Sequence, residues 1–157
     1  DKIQDFSDQT GLSTEYLTIL KREAGSFLPN PINLKKLPGV APEVIEAFDK
    51  IGIKNTKQFY NKVNLCNDND RIAWETGIAT DQINELASLS DLARLYGVGP
   101  VFARIIFDVG INSVERFIGV SPAEFIEIYE NKTGKKADFS ETDIEFSIAF
   151  AKELTRT

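Results

Sequence analysis

The chain reads as an all-α protein: two tandem units of short helices packed into one body, followed by a C-terminal helix. Three observations predict this. Apolar residues recur at helical spacing along the chain, as in Tyr16, Leu17 and Leu20, then Val44, Ile45, Phe48 and Ile51, then Phe102, Ile105, Ile106 and Val109, and last Ile144, Ile148, Ala151 and Leu154. No β-branched alternation is bounded by Asn-Gly or Asp-Gly turns, so strand signals are missing. And the chain repeats itself. Leu37-Pro38-Gly39-Val40-Ala41-Pro42 matches Leu95-Tyr96-Gly97-Val98-Gly99-Pro100 at an offset of 58, which also pairs Gly52-Ile53 with Gly110-Ile111 and Phe59 with Phe117.

The individual elements follow from local signals. Helix starts are expected at Ser13, Thr80, Ser90 or Asp91, Ser113, Ser121 and Ser140, since hydroxyl and carboxylate side chains accept from the free amides of a first turn. Pro122 after Ser121 is the favoured first helical residue. Ser140 with Asp143 resembles a capping box with Asp in place of Glu. Upstream, Thr10-Gly11-Leu12 matches Thr76-Gly77-Ile78 at an offset of 66. The eight-residue excess is an insertion in the first unit, placed in the Gly- and Pro-containing stretch 25–31. The units are therefore set at 1–66, with a hairpin at 39–42, and 67–157, with a hairpin at 97–100 and a C-terminal helix over 141–154. Two units are too few for a solenoid, and neither has the apolar content to stand comfortably alone.

Composition limits the function classes. The 157 residues are 42% hydrophobic and 27% charged, an ordinary globular balance. No apolar run is long enough for a membrane span, and the first residues lack the basic and apolar regions of a signal peptide. Met is absent even at position 1, consistent with a piece of a longer protein. Histidine is absent, which removes the usual general base, Ser-His triads and His-rich metal sites. One cysteine, Cys66, excludes an internal disulfide and a Cys-based zinc site, and it fits a reducing, cytoplasmic location. No catalytic constellation, cofactor motif or small-molecule site is evident. The expected protein is not an enzyme.

The net charge of −6 argues against a generic nucleic-acid binder. It is unevenly spread. Acid concentrates in 66–90 and 121–157, and the stretch around Lys35, Lys36, Lys50, Lys54, Lys57 and Lys62 is locally basic. Other signals have ordinary readings. Asn67-Asp68-Asn69-Asp70 lacks the onward ligand spacing of a calcium loop. Glu124, Glu127 and Glu130 read as a solvated helix side, Trp74 as a core anchor, and Cys66 as an inert thiol.

The most informative stretch is 95–106. A helix over about 91–96 is expected to end on Gly97, whose missing Cβ permits positive φ. A tight turn follows, and a second helix starts at Pro100. Val98 would plug the gap between the helices, and Ala103 would let them approach. This stretch resembles the helix-hairpin-helix superfamily at every position of its hydrophobic-x-Gly-hydrophobic-Gly-x-x-x-Ala-x-x-hydrophobic pattern. The first unit matches in part: Ala41 replaces the second glycine and Ile45 the alanine. The duplicated layout, which covers most of the chain, is similar to an uncharacterised helix-hairpin-helix family of unknown function. The fold the resemblance implies is a pair of tandem helix-hairpin-helix units (SAM/HhH-like).

The resemblance also implies a mechanism: sequence-non-specific contact with the DNA phosphate backbone through hairpin amides at the positive end of the next helix. The residues that would carry it are Gly97, Val98, Gly99, Val101, Arg94 and Arg104 in the second unit, with the Phe102 amide. In the first they are Gly39, Val40, Ala41, Lys35, Lys36, Lys50 and Lys54. Against it, Val101 stands where such hairpins often carry Lys or Arg, and Glu43 and Glu46 would repel a phosphate. Val101 and Phe102 cannot both face inward on one helix, so one is expected to be exposed or to meet a partner. A protein-interaction or scaffold module, using the acidic surface and the apolar hairpin flank, is the competing expectation.

Overall fold

The computed structural model describes residues 2–26, 28, 30–66 and 69–155. Ten α-helices account for most of them: α1 (Lys2–Thr10), α2 (Thr14–Ser26), α3 (Pro42–Lys50), α4 (Thr56–Cys66), α5 (Asn69–Thr76), α6 (Thr80–Leu92), α7 (Gly99–Asp108), α8 (Val114–Ile118), α9 (Pro122–Thr133) and α10 (Glu141–Thr155). A 3-10 turn covers Leu34–Lys36. Among the described residues there is no strand, only an isolated antiparallel bridge between Asn33 and Asn55. The chain is all-α.

It divides into two compact units, residues 1–30 and 31–157. The first holds the helix pair α1–α2, which pack on each other and bury Leu17. The second holds everything else, including both expected hairpins. Its single apolar core runs from Leu34 to Ala151, with Phe48, Phe59, Phe117 and Phe125 fully buried. The compact-unit boundary at 30/31 is thus separate from the repeat boundary read at 66/67. The insertion expected at 25–31 and the polar loop expected at 67–70 fall partly outside the described residues.

The repeat is visible in the hydrogen bonds. After α1, the Thr10 hydroxyl donates to the Phe6 carbonyl and accepts from the Leu12 amide, and Gly11 turns at φ +72° with its N–H on Ser7 O. After α5, Thr76, Ile78 and Gly77 (φ +71°) repeat each bond, on Ile72 and Ala73. The same device occurs a third time after α9, in Thr133, Lys135 and Gly134 (φ +67°). The cap works because the hydroxyl and the left-handed glycine between them satisfy carbonyls that the helix end leaves free. It defines three cap pairs: α1–α2, α5–α6 and α9–α10, each of two mutually packed helices. Sequence comparison found the first two. The third escaped because it lies 57 residues beyond the second, matching neither the 58 nor the 66 offset, and because Lys135 stands where Leu12 and Ile78 stand.

Local capping follows the sequence in several places. Ser113 and Ser121 cap α8 and α9, and Ser121 with Glu124 forms a full capping box. Ser140 and Asp143 exchange hydrogen bonds at the start of α10, and these hold the Asp143 carboxyl below its usual range. The start expected at Ser90 or Asp91 is a correction. Helix α6 runs through it, because Leu86, Leu89, Ser90 and Leu92 all stay buried in one register. Asp91 instead accepts from Arg94 (2.7 Å) and from the Val114 amide (3.4 Å). The expected helix over 91–96 is accordingly the end of α6 and a series of turns. Trp74 is a second correction: it is 89% exposed, since Ile72 takes the core position and residues two apart on a helix face opposite ways.

Candidate functional site

Two glycine elbows occupy the hairpin positions. In the first, the 3-10 turn Leu34–Lys36 leads to Gly39 at φ +76° and then to α3. In the second, the turns after α6 lead to Gly97 at φ +81° and then to α7. Supporting bonds match across the offset of 58. Leu37 N–H donates to Leu34 O and Leu95 N–H to Leu92 O, both at 3.1 Å. Ile53 N–H donates to Phe48 O, and Ile111 N–H to Ile106 O. One residue separates the elbows. Ala41 is extended (φ −63°, ψ 140°), whereas its counterpart Gly99 sits at φ +61°. Val98 accordingly takes helical angles and is buried, while Val40 is half-buried. Ala103 is fully buried, as the close approach of α7 requires.

Each elbow leans on the second helix of the cap pair that follows it. A recess of about 60 Å³ is lined by Gly39, Val40, Ala41 and Val44 on one side and Gln82, Glu85 and Leu86 of α6 on the other. A cleft of about 470 Å³ lies between Gly97 and Phe102 on one side and Phe139, Thr142, Asp143, Phe146 and Ser147 of the α10 end on the other. The register is the same. Ile83 and Ile144 are the buried anchors of α6 and α10, and Gln82, Glu85 and Leu86 stand where Asp143, Phe146 and Ser147 stand. A Cβ on Gly39 would lie 2.9 Å from the Arg104 guanidinium, and one on Gly97 would lie 3.3 Å from Ser147 Oγ. Glycine suits both for positive φ; a Cβ at Gly39 would also displace the guanidinium, and one at Gly97 would make Ser147 give by a few tenths of an ångström.

The two joints differ in chemistry. At the first, Arg104 Nε donates to Pro38 O (2.7 Å), Nη2 to Glu85 Oε1 (2.5 Å) and Nη1 to Asp108 Oδ1 (3.3 Å). At the second, Tyr96, Phe146 and Phe150 form a ring cluster with centroids 4.7–5.8 Å apart. Nearby, Phe102 packs on Phe125 and Phe139.

The expected site residues therefore fall into groups. Arg104 is committed to three acceptors and is 15% exposed, so it is a tie between elements rather than a charge held out to solvent. Arg94 is held by Asp91 and is partly exposed. Lys54 pairs with Asp49 at 3.7 Å, and both line a small depression with Lys35. Lys35, Lys36 and Lys50 are exposed. Gly39 and Gly97 are exposed on one side of their turns, and Val40, Ala41 and Gly99 are half-buried. Among the described residues, the amides of Gly39 and Gly97 make no hydrogen bond to a protein group. Val101 is 63% exposed while Phe102 packs inward, which resolves the pair as expected. Sequence reasoning passed over Gln82, Glu85, Phe146 and Ser147. What brings α6 and α10 into register is their buried anchors, Ile83 and Ile144, at an offset of 61 that the Thr-Gly caps, 57 apart, do not share.

No cluster of metal-binding side chains occurs among the described residues, and no helix there is long and apolar enough to cross a membrane. Neither the curated proteins nor the solved structures contain a significant match to the chain. A family model described as a domain of unknown function (DUF4332) matches residues 38–154, from the first elbow to the end of α10, and the chain belongs to that family.

Proposed function

We propose that the chain is a non-catalytic protein-interaction module of tandem helix-hairpin-helix type, working without a cofactor in a reducing, cytoplasmic setting. The observation that carries this reading is what each elbow faces. Gly39 faces Glu85 and a guanidinium already matched by carboxylates, and Gly97 faces Asp143 and Phe146. A phosphate approaching either turn from that side meets a carboxylate, and like charge at short range is costly in a partly dehydrated cleft. Exposed apolar groups supply the alternative contact: Val101 beside the second elbow and Trp74 on α5. Aromatic anchors with exposed rings are typical centres of protein interfaces.

Non-specific DNA backbone binding is the second reading. It is favoured by the elbow amides without a protein acceptor and by exposed Lys35, Lys36 and Lys50 on the first unit. One titration separates the two. Anisotropy of a labelled arbitrary duplex at about 20 mM salt should stay flat with micromolar protein on the interaction reading. Saturable binding, with a log K against log salt slope of about −2 to −4 that Lys50→Glu with Lys54→Glu reduces, would favour DNA instead. On the interaction reading a partner cross-linked to the wild-type chain is lost from Trp74→Ala or Val101→Asp chains that still fold.

A further inference from the structure

The register shared by α6 and α10 extends to α2. The Thr-Gly caps align α2 with α6 at the offset of 66, so Leu17 stands where Ile83 is buried. The three positions that receive an elbow, Gln82-Glu85-Leu86 on α6 and Asp143-Phe146-Ser147 on α10, correspond on α2 to Tyr16, Ile19 and Leu20. These three side chains are 52%, 52% and 49% exposed. The receiving face is present there in its most apolar form.

We propose that the Tyr16-Ile19-Leu20 face of α2 is the receiving half of the same joint, and that it binds a glycine elbow carried by a second polypeptide. The inference rests on the protein-interaction reading and names the partner's chemistry. The middle receiving residue decides how a joint is held. Glu85 is bridged by Arg104, and Phe146 stacks with Tyr96, the residue before Gly97. Ile19 can do only the second kind of work. The partner elbow therefore carries an apolar or aromatic residue immediately before its positive-φ glycine, and no bridging arginine. The face is continuous in register with two joints that already exist in this chain.

The test uses the full chain with an elbow tethered to it. Residues 31–66 are duplicated and joined ahead of residue 1, which sets the added Gly39 as far before α2 as the native Gly39 stands before α6. A second extension, made from residues 89–127, sets the added Gly97 as far before α2 as the native one stands before α10. It keeps the test open if the first extension does not fold. Amide exchange in α2 is expected to slow at least about tenfold in an extended chain. The slowing should vanish with Ile19→Asp, and with Gly→Val at the added elbow alone. Unchanged exchange in α2 with both extensions overturns the proposal. So does a concentration-dependent dimer of the unextended chain that Ile19→Asp abolishes, because the occupant is then a second copy docking with elbows already in use. A partner held through Trp74 or Val101, with α2 exchange unchanged, would sink this inference and leave the interaction reading intact.

Discussion

The first elbow is held against its neighbour by ions and the second by rings, although the two turn the chain in the same way. Gly39 and Gly97 share positive φ, the same supporting hydrogen bonds and the same receiving register on α6 and α10. Yet one joint is closed by Arg104 on Pro38 O and Glu85, and the other by Tyr96, Phe146 and Phe150. The backbone device is thus indifferent to the chemistry that covers it. The elbow with the complete motif is the more enclosed by aromatic groups, and the degenerate one has the exposed lysines around it. Motif quality reports how well a turn is made; it does not report whether the turn is open to a ligand.

Substitutions can break this contrast. Removing Arg104 should have the largest effect. Arg104→Ala leaves Glu85 and the Pro38 carbonyl without their donor and should cost about 2 kcal/mol in denaturant unfolding, with fast exchange appearing around the first elbow. Lys at this position should recover little, since one ammonium cannot reproduce the planar fork. A loss confined to the second elbow would contradict the assignment of Arg104 to the first joint.

Next is the single backbone difference. Gly99→Ala should cost about 1–2 kcal/mol, because an L side chain is strained in the left-handed region. No atom lies within 4 Å of the added Cβ, so the cost is conformational alone. The reciprocal Ala41→Gly should change stability by less than about 0.5 kcal/mol, because Ala41 is an extended N-cap where glycine is well tolerated. Equal effects at the two positions would erase the distinction between the elbows.

Ser90 offers a gain. Its hydroxyl is buried in α6 with no hydrogen-bond partner, and the matching positions on α2 and α10 are Ala24 and Ala151. Ser90→Ala should raise stability by about 1 kcal/mol, by removing an unpaired buried polar group. A loss of stability would mean the hydroxyl has a partner in solution.

The smallest effect is acid sensitivity at the second joint. Asp143 is held below its usual range first by the Ser140 amide and then by the Ser140 hydroxyl. A depressed folded value stabilises the fold above the unfolded value and loses that contribution as the pH falls through the folded one. Amide exchange at the start of α10 should therefore speed up only below the ordinary carboxylate range. Ser140→Ala, which keeps the amide and loses only the hydroxyl, should weaken that pH dependence, and Asp143→Asn should remove it.

Much of the architecture was legible along the chain. The offset of 58 placed both elbows, Ser113 and Ser121 marked helix starts, and the Val101-Phe102 conflict resolved as spacing required. Other features were not legible. Ser90 and Asp91 look like a helix start, but buried neighbours on either side carry α6 through them. Trp74 looks like core, but Ile72 holds the inward position. Arg104 looks like a free cation beside a phosphate site, and its three acceptors come from Pro38, Glu85 and Asp108, two of them far away in sequence.

Short-range rules accordingly account for where this chain turns. A glycine that must take positive φ, a hydroxyl that must satisfy a helix end and an apolar stripe that must be buried are properties of a few neighbouring residues, and they can be read in order. What covers each turn is a different kind of fact. Gly39 meets Arg104 and Gly97 meets Ser147 only after the intervening helices have packed, and no local preference contains those encounters. Long-range packing chose the neighbours, and with them whether an elbow is a joint or an open site.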